Sequence, residues 1–173
     1  MHNFDIPSLL TKLETELKDL ISSRKLSNPL MIGVHSGGAW IAEQLHQRLN
    51  IQDPLGVMDI SFYRDDFSQI GMHPQVKPSQ LPAHMEGRDI ILIDDVFYTG
   101  RTVRAALNEI FDYGRPKQVL LGVLIERDGQ QIPLKPDCVG CSITLPAGQR
   151  IKLTGPIPLG VDIQSFDNEL TTA

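Results

Sequence analysis

Apolar residues along this chain switch between two spacings. Leu9, Leu10, Leu13, Leu17, Leu20 and Ile21 recur every three or four residues, the period of one helix face, with Ser8 placed as its N-cap. Leu30–Val34 is a short apolar run that breaks into His35-Ser36-Gly37-Gly38, a strand running into a loop of small residues. Ile41, Leu45 and Leu49 mark a second helix, and Met58, Ile60 and Phe62 alternate with Asp59 and Ser61 at strand period. Residues 90–93 predict a buried strand. Val103, Leu107, Ile110 and Phe111 predict a helix face that Gly114 and Pro116 bring to an end. Residues 119–125 form another buried-type strand. Beyond Pro133 the chain turns to short strands and turns, and the tail from Ser165 reads as frayed. Strands alternating with helices predict an α/β fold: a central, mainly parallel sheet flanked by helices.

One stretch does not fit. Arg64 to Gly87 carries three prolines and no period, and a structureless connection of that length inside a compact domain predicts either a disordered stretch or a functional lid. Composition adds bounds. At 173 residues and 41% hydrophobic the chain suits one folded domain over 1–173. No apolar run approaches the ~18 residues of a membrane span. The N-terminus lacks a basic start followed by an apolar stretch, and two cysteines do not make a disulfide scaffold. The expectation is a cytoplasmic protein without a membrane partner. A net charge of −5 disfavours nonspecific nucleic-acid binding.

The chemistry concentrates in Ile90-Ile-Leu-Ile-Asp94-Asp95-Val96-Phe97-Tyr98-Thr99-Gly100-Arg101-Thr102-Val103. An apolar strand ends in two adjacent carboxylates, then a Thr-Gly-Arg-Thr turn opens a helix. In parallel sheets, ligands sit beyond the carboxyl ends of the strands. A helix N-terminus offers unpaired N–H groups to a phosphate, Gly100 permits close backbone approach, and Thr99 and Thr102 add hydroxyl donors. Asp94 and Asp95 repel a phosphate but accept hydrogen bonds from sugar hydroxyls or help hold Mg²⁺. A capped helix after a strand would account for one Asp and one Thr, not for this whole arrangement. The residue types describe a site for a phosphorylated sugar.

The same residues resemble the phosphoribosyl-pyrophosphate (PRPP) signature of type I phosphoribosyltransferases. The flanks Asp59-Ile-Ser-Phe-Tyr-Arg-Asp-Asp-Phe, Arg101-Thr-Val-Arg-Ala-Ala-Leu, Tyr113-Gly-Arg-Pro, Ile132-Pro-Leu-Lys-Pro-Asp-Cys-Val-Gly and the late stretch 150–153 resemble the PyrR family. Members of that family regulate pyrimidine operons and carry uracil phosphoribosyltransferase activity. The resemblance implies a type I phosphoribosyltransferase fold with a hood over 64–87, and formation of UMP and pyrophosphate from uracil and PRPP with Mg²⁺. It implies PRPP binding by Asp94, Asp95, Val96, Phe97, Tyr98, Thr99, Gly100, Arg101 and Thr102, with Asp94 and Asp95 on the ribose hydroxyls and near the metal. Tyr98 stands where purine-using relatives carry an Asp, which argues against a purine. His35, Ser36 and Gly37 take the place of the pyrophosphate loop but lack its usual basic residues, which passes the charge work to His35 and to cations elsewhere. Arg64 and Lys77 would come from the hood, and Arg127 and Ile151 would contact substrate. A homodimer or higher oligomer is implied.

The alternative from the same resemblance is a UMP-responsive regulator that binds pyrimidine-operon mRNA, with minor enzyme activity. The residues support it weakly: Gln130 and Cys141 stand where RNA-binding relatives carry Arg and Lys, leaving Lys135, Arg150 and Lys152. Other signals lead nowhere. Cys138-Val-Gly-Cys141 lacks the second pair a zinc site needs. There is no Walker A loop and no G-x-G-x-x-G. His46 reads as structural, His73 as a loop residue, and Trp40 as a core or subunit contact.

Overall fold

The computed structural model describes residues 3–60 and 79–166. The chain runs α1 (Ile6–Ser23), β1 (Leu30–Val34), α2 (Gly37–Arg48), β2 (Gly56–Met58), β3 (Asp89–Phe97), α3 (Arg101–Tyr113), β4 (Gln118–Arg127), β5 (Cys138–Ile143), β6 (Gln149–Thr154) and β7 (Gly160–Ser165). Strands β1 to β5 form one sheet in the order β2-β1-β3-β4-β5, and every pairing in it is parallel. β6 and β7 form a separate antiparallel pair.

Alternation along the strands explains how both sheet faces are buried. Leu30, Ile32, Val34, Ile90 and Leu92 pack with Val103, Ala106 and Ile110 of α3 on one face. Met31, Ile91 and Ile93 pack with Leu10, Leu13 and Leu17 of α1 and Ile41 and Leu45 of α2 on the other. Gly33 carries no side chain on that second face because α2 crosses too close: a Cβ there would lie 2.7 Å from the Ala39 Cα. Both rims of the sheet have partners. At the β5 rim, the Val139 N–H donates to Glu16 Oε2 at 3.2 Å and Lys12 Nζ donates to the Gly140 carbonyl at 3.2 Å. At the β2 rim, Val57 and Gln80 exchange backbone hydrogen bonds of 2.9 and 2.7 Å.

Several expectations need correction. Ser8 is not the N-cap of α1. Asp5 is, accepting from the Ser8 N–H at 3.3 Å and the Ser8 hydroxyl at 2.7 Å, with Pro7 in the first turn. β2 covers only Gly56–Met58; Ile60 is buried beyond it, and Phe62 lies outside the described residues. Phe111 is 55% exposed and contributes nothing to the buried face of α3. Ser165 is the last residue of β7, held in register with Gln149 rather than frayed. The hood residues Arg64, Lys77 and His73 lie outside the described residues. His46 is structural, its Nε2 2.7 Å from the Asp53 carbonyl oxygen. Trp40 is half-buried against the α1–α2 core and beside Gly155. Among the described residues no helix is long and apolar enough to cross a membrane.

Candidate active site

The chain leaves β1 toward β2 on one side and leaves β3 toward β4 on the other. The sheet order therefore reverses between β1 and β3, and their following loops part to open a crevice beyond the carboxyl ends of the strands. Both candidate motifs stand there. The loop after β1 is His35 and Ser36, joined by a cis peptide bond, followed at once by α2. The His35 N–H donates to the Met58 carbonyl at 2.7 Å, which ties this loop to β2.

The acid pair lies inside β3, not after its end. The parallel register with β4 continues through Asp94 opposite Val123 to Phe97 opposite Glu126. Asp94 is buried, and its Oδ1 accepts the Asp95 N–H at 2.9 Å. Asp95 is half-buried, and its Oδ1 accepts the Val96 N–H at 2.8 Å. These short-range bonds fix both carboxylates against their own backbone. The loop after β1 closes onto them. A Cβ at Gly37 would strike the Asp95 carboxylate, and one at Gly38 would lie 2.7 Å from the Ile93 carbonyl and 2.9 Å from the Asp94 Cα. Only glycine lets these two segments meet.

The turn after β3 opens α3 on a glycine. Gly100 sits at φ 93°, in the left-handed region, and caps α3 without a side-chain hydrogen bond. Thr99 Oγ1 accepts the Arg101 N–H at 3.2 Å. The Arg101 N–H is therefore taken by a hydroxyl, and the amides that follow it in the first turn are those a bound anion could meet. Phe97 is buried and its ring backs Gly100, whereas Val96 is half-buried against the α1–α2 core. Of the two, Phe97 backs the turn and Val96 serves the core.

Tyr98 is 42% exposed, and the Arg127 guanidinium stacks 4.2 Å from its ring centroid. Arg127 is the last residue of β4 and is buried. Its Nη1 donates to the Gln149 carbonyl at 2.7 Å, and its enclosed Nε finds no hydrogen-bond partner among the described residues. It ties the turn after β3 to the start of β6. Ile151 lies in β6 opposite Ile163, and its side chain packs with the α1–α2 core. A cleft of about 400 Å³ opens at the ends of β3, β4 and β5, lined by Phe97, Glu126, Arg127, Ser142 and Thr144. Sequence reasoning missed Gln131, which reaches Thr99 and Arg101 across the loop after β4, and Gly129, which lies against the Tyr98 ring. The Asp128-Gly129 dipeptide signals the turn, but no local pattern reveals what it touches.

Among the described residues, no three His, Cys, Asp or Glu side chains gather into a metal cage. The two adjacent carboxylates instead suit a hard cation that takes one or two protein oxygens and fills its shell with water and ligand oxygens, as Mg²⁺ does. The cysteines are free and chemically quiet. Burial pushes the Cys138 thiol from its ordinary 9.0 up to about 12, with Glu16 and Asp137 adding to the shift, and burial raises Cys141 as well. The unfolded chain therefore loses these protons first. Above pH 9.0 the unfolded chain sheds the Cys138 proton while the folded chain keeps it, so stability falls as pH rises toward 12. At pH 8, Cys138 should resist alkylation in the native protein and react in urea, as read by mass spectrometry. Native labelling as fast as in urea would contradict its burial.

The phosphoribosyl transferase domain family matches residues 4–150. A protein of Nitrosococcus oceani named bifunctional protein PyrR is 52% identical over 167 residues, spanning 95% of this chain and 94% of that one. A Pseudomonas syringae pv. syringae protein of the same name is 49% identical over 166 residues, 96% and 98% of the two chains. Among solved structures, a hypoxanthine-guanine phosphoribosyltransferase from Bacillus anthracis superposes with a TM-score of 0.66 at 17% identity over 87% of this chain and 86% of its own. A purine phosphoribosyltransferase from Pyrococcus horikoshii gives 0.58 at 22% identity over 79% and 86%. Those two likenesses speak to fold alone. A parallel sheet whose switch point brings a glycine loop, an acid pair and an uncapped helix together, in a chain half identical to these relatives over nearly its full length, places this protein in the PyrR family of type I phosphoribosyltransferases.

Proposed function

We propose that this chain transfers a 5-phosphoribosyl group from PRPP to uracil, forming UMP and pyrophosphate. The observation that carries the reading is the junction of Gly37 and Gly38 with Asp94 and Asp95 at the sheet's switch point. Sugar and diphosphate must be gripped at adjacent places, and here the start of α2 meets the acid pair of β3.

In the reaction, a bond forms between uracil N1 and the anomeric carbon as the bond from that carbon to the pyrophosphate oxygen breaks. The N1 proton leaves to solvent or to the departing pyrophosphate. Asp94 and Asp95 accept the two ribose hydroxyls and orient the ring, and positive charge growing on the ribose is favoured by the carboxylates beside it. The first-turn amides of α3 with Thr99 and Thr102 hold the 5′-phosphate. Ser36 and Gly37 offer backbone N–H groups to the pyrophosphate and His35 its imidazole, the His35 N–H being held by the Met58 carbonyl. Mg²⁺ held through the ligand by Asp94 and Asp95 would supply charge neutralisation at the leaving pyrophosphate. Uracil takes the cleft at the ends of β3 to β5, a size in the range of small-molecule pockets, with Arg127 and the main chain near Ile151 at its edge. Arg64 and Lys77, outside the described residues, would add positive charge for the pyrophosphate.

A second activity, regulation of pyrimidine genes through UMP-dependent binding of leader mRNA, is favoured by the name "bifunctional" on the relatives. Its residues are sparse. The Gln130 amide is spent on the carbonyls of Ile132 and Leu134, and Cys141 is a half-buried thiol. One experiment addresses both activities. Pyrophosphate release is followed with PRPP and uracil, with orotate and hypoxanthine as controls, and the UMP-loaded product is mixed with leader transcript at low salt. Uracil-dependent release supports the enzyme, and equal release with hypoxanthine overturns it. A salt-sensitive transcript shift supports the regulator, and no shift at low salt removes it.

A further inference from the structure

The loop joining β4 to β5 folds back over the turn that follows β3. The Gln131 N–H donates to the Thr99 carbonyl at 2.9 Å, and Gln131 Oε1 accepts from Arg101 Nη2 at 3.0 Å and from Nε at 3.3 Å. Ile132 next to it packs on Gly100, where a Cβ would lie 3.5 Å from the Ile132 Cβ, and Gly129 lies against the Tyr98 ring. The loop is braced from within: the Gln130 amide donates to the Ile132 carbonyl at 2.7 Å, and the Leu134 N–H donates to the same carbonyl at 2.7 Å. Four successive residues of the turn, 98 to 101, are thus each touched by one short, self-tied loop.

We propose that Gln131 is a positioning residue for the phosphate cradle, pinning Thr99 through its backbone and aiming the Arg101 side chain with a neutral acceptor. The amide oxygen holds the guanidinium by a charge-assisted bond, which orders that side chain beside the turn. The inference rests on residues 99–102 being the phosphate cradle.

Gln131→Ala removes the side-chain acceptor and keeps the backbone bond to Thr99, whereas Gln131→Glu keeps an acceptor for Arg101. Gln131→Ala should raise the KM for PRPP about five-fold, the worth of one modest hydrogen bond, with kcat and the KM for uracil within about two-fold of wild type, and Gln131→Glu should restore most of the loss. The dissociation constant of ribose 5-phosphate, measured by calorimetry without uracil, should rise by the same factor in Gln131→Ala. An unchanged KM for PRPP in Gln131→Ala overturns the assignment, as does a loss of kcat equal to the loss in KM. If wild type binds ribose 5-phosphate but makes no UMP, the uracil reading falls and the role of Gln131 stands. If wild type does not bind it at all, the cradle and this inference fall together.

Discussion

Replacing Asp94 and Asp95 together by asparagine should lower kcat/KM for UMP formation by about 10³-fold, two charge-assisted hydrogen bonds to ribose at roughly 2 kcal/mol each. Folding should survive. The carboxylate oxygens accept the N–H groups of Asp95 and Val96, and an asparagine amide oxygen accepts the same bonds. The urea midpoint of the double variant should therefore stay close to wild type while initial rates collapse. Activity within ten-fold of wild type in a folded double variant would show that these acids do not serve the ribose.

Gly38→Ala should damage both stability and turnover. Its Cβ would meet the Ile93 carbonyl and the Asp94 Cα, at 2.7 and 2.9 Å. Backbone on the central strand β3 cannot swing aside as a flexible side chain does, so α2 must retreat. Such overpacking costs about 2 kcal/mol. The retreat also moves the loop after β1 away from the acid pair, and a displacement of that kind costs about 10²-fold in rate. The measurements are a urea midpoint that falls with the slope unchanged and a kcat/KM that falls more than stability alone explains. A variant with wild-type rate and stability would mean that the close approach of α2 and β3 is not required.

Periodicity in the sequence carried most of the fold. The helical spacing of Leu10, Leu13 and Leu17 and the unbroken apolar run before Asp94 marked α1 and β3 because each buries the face those residues share. Where the reading failed, a backbone effect outweighed side-chain polarity. β3 extends through Asp94 and Asp95 because the pairing with β4 does not depend on side chains that leave the core. α1 begins before Ser8 because Asp5 and Pro7 fix its first turn. The acid pair and the glycine turn were legible as a candidate site, since their chemistry is local in sequence. Gln131 and the burial of Arg127 beneath Tyr98 were not, because each depends on a loop returning from a distant strand. No spacing rule records such a return.

The two occupied margins of the sheet also limit how copies of this protein associate. Lys12 and Glu16 engage the outer backbone of β5, and Gln80 engages that of β2. A neighbouring molecule meets no vacant ladder at these positions, so joining strand to strand would first require displacing contacts already made. Any association of copies through this sheet is thereby steered toward its side-chain faces, and the same sealing guards a sheet rich in Ile, Leu and Val against fibrous polymerisation.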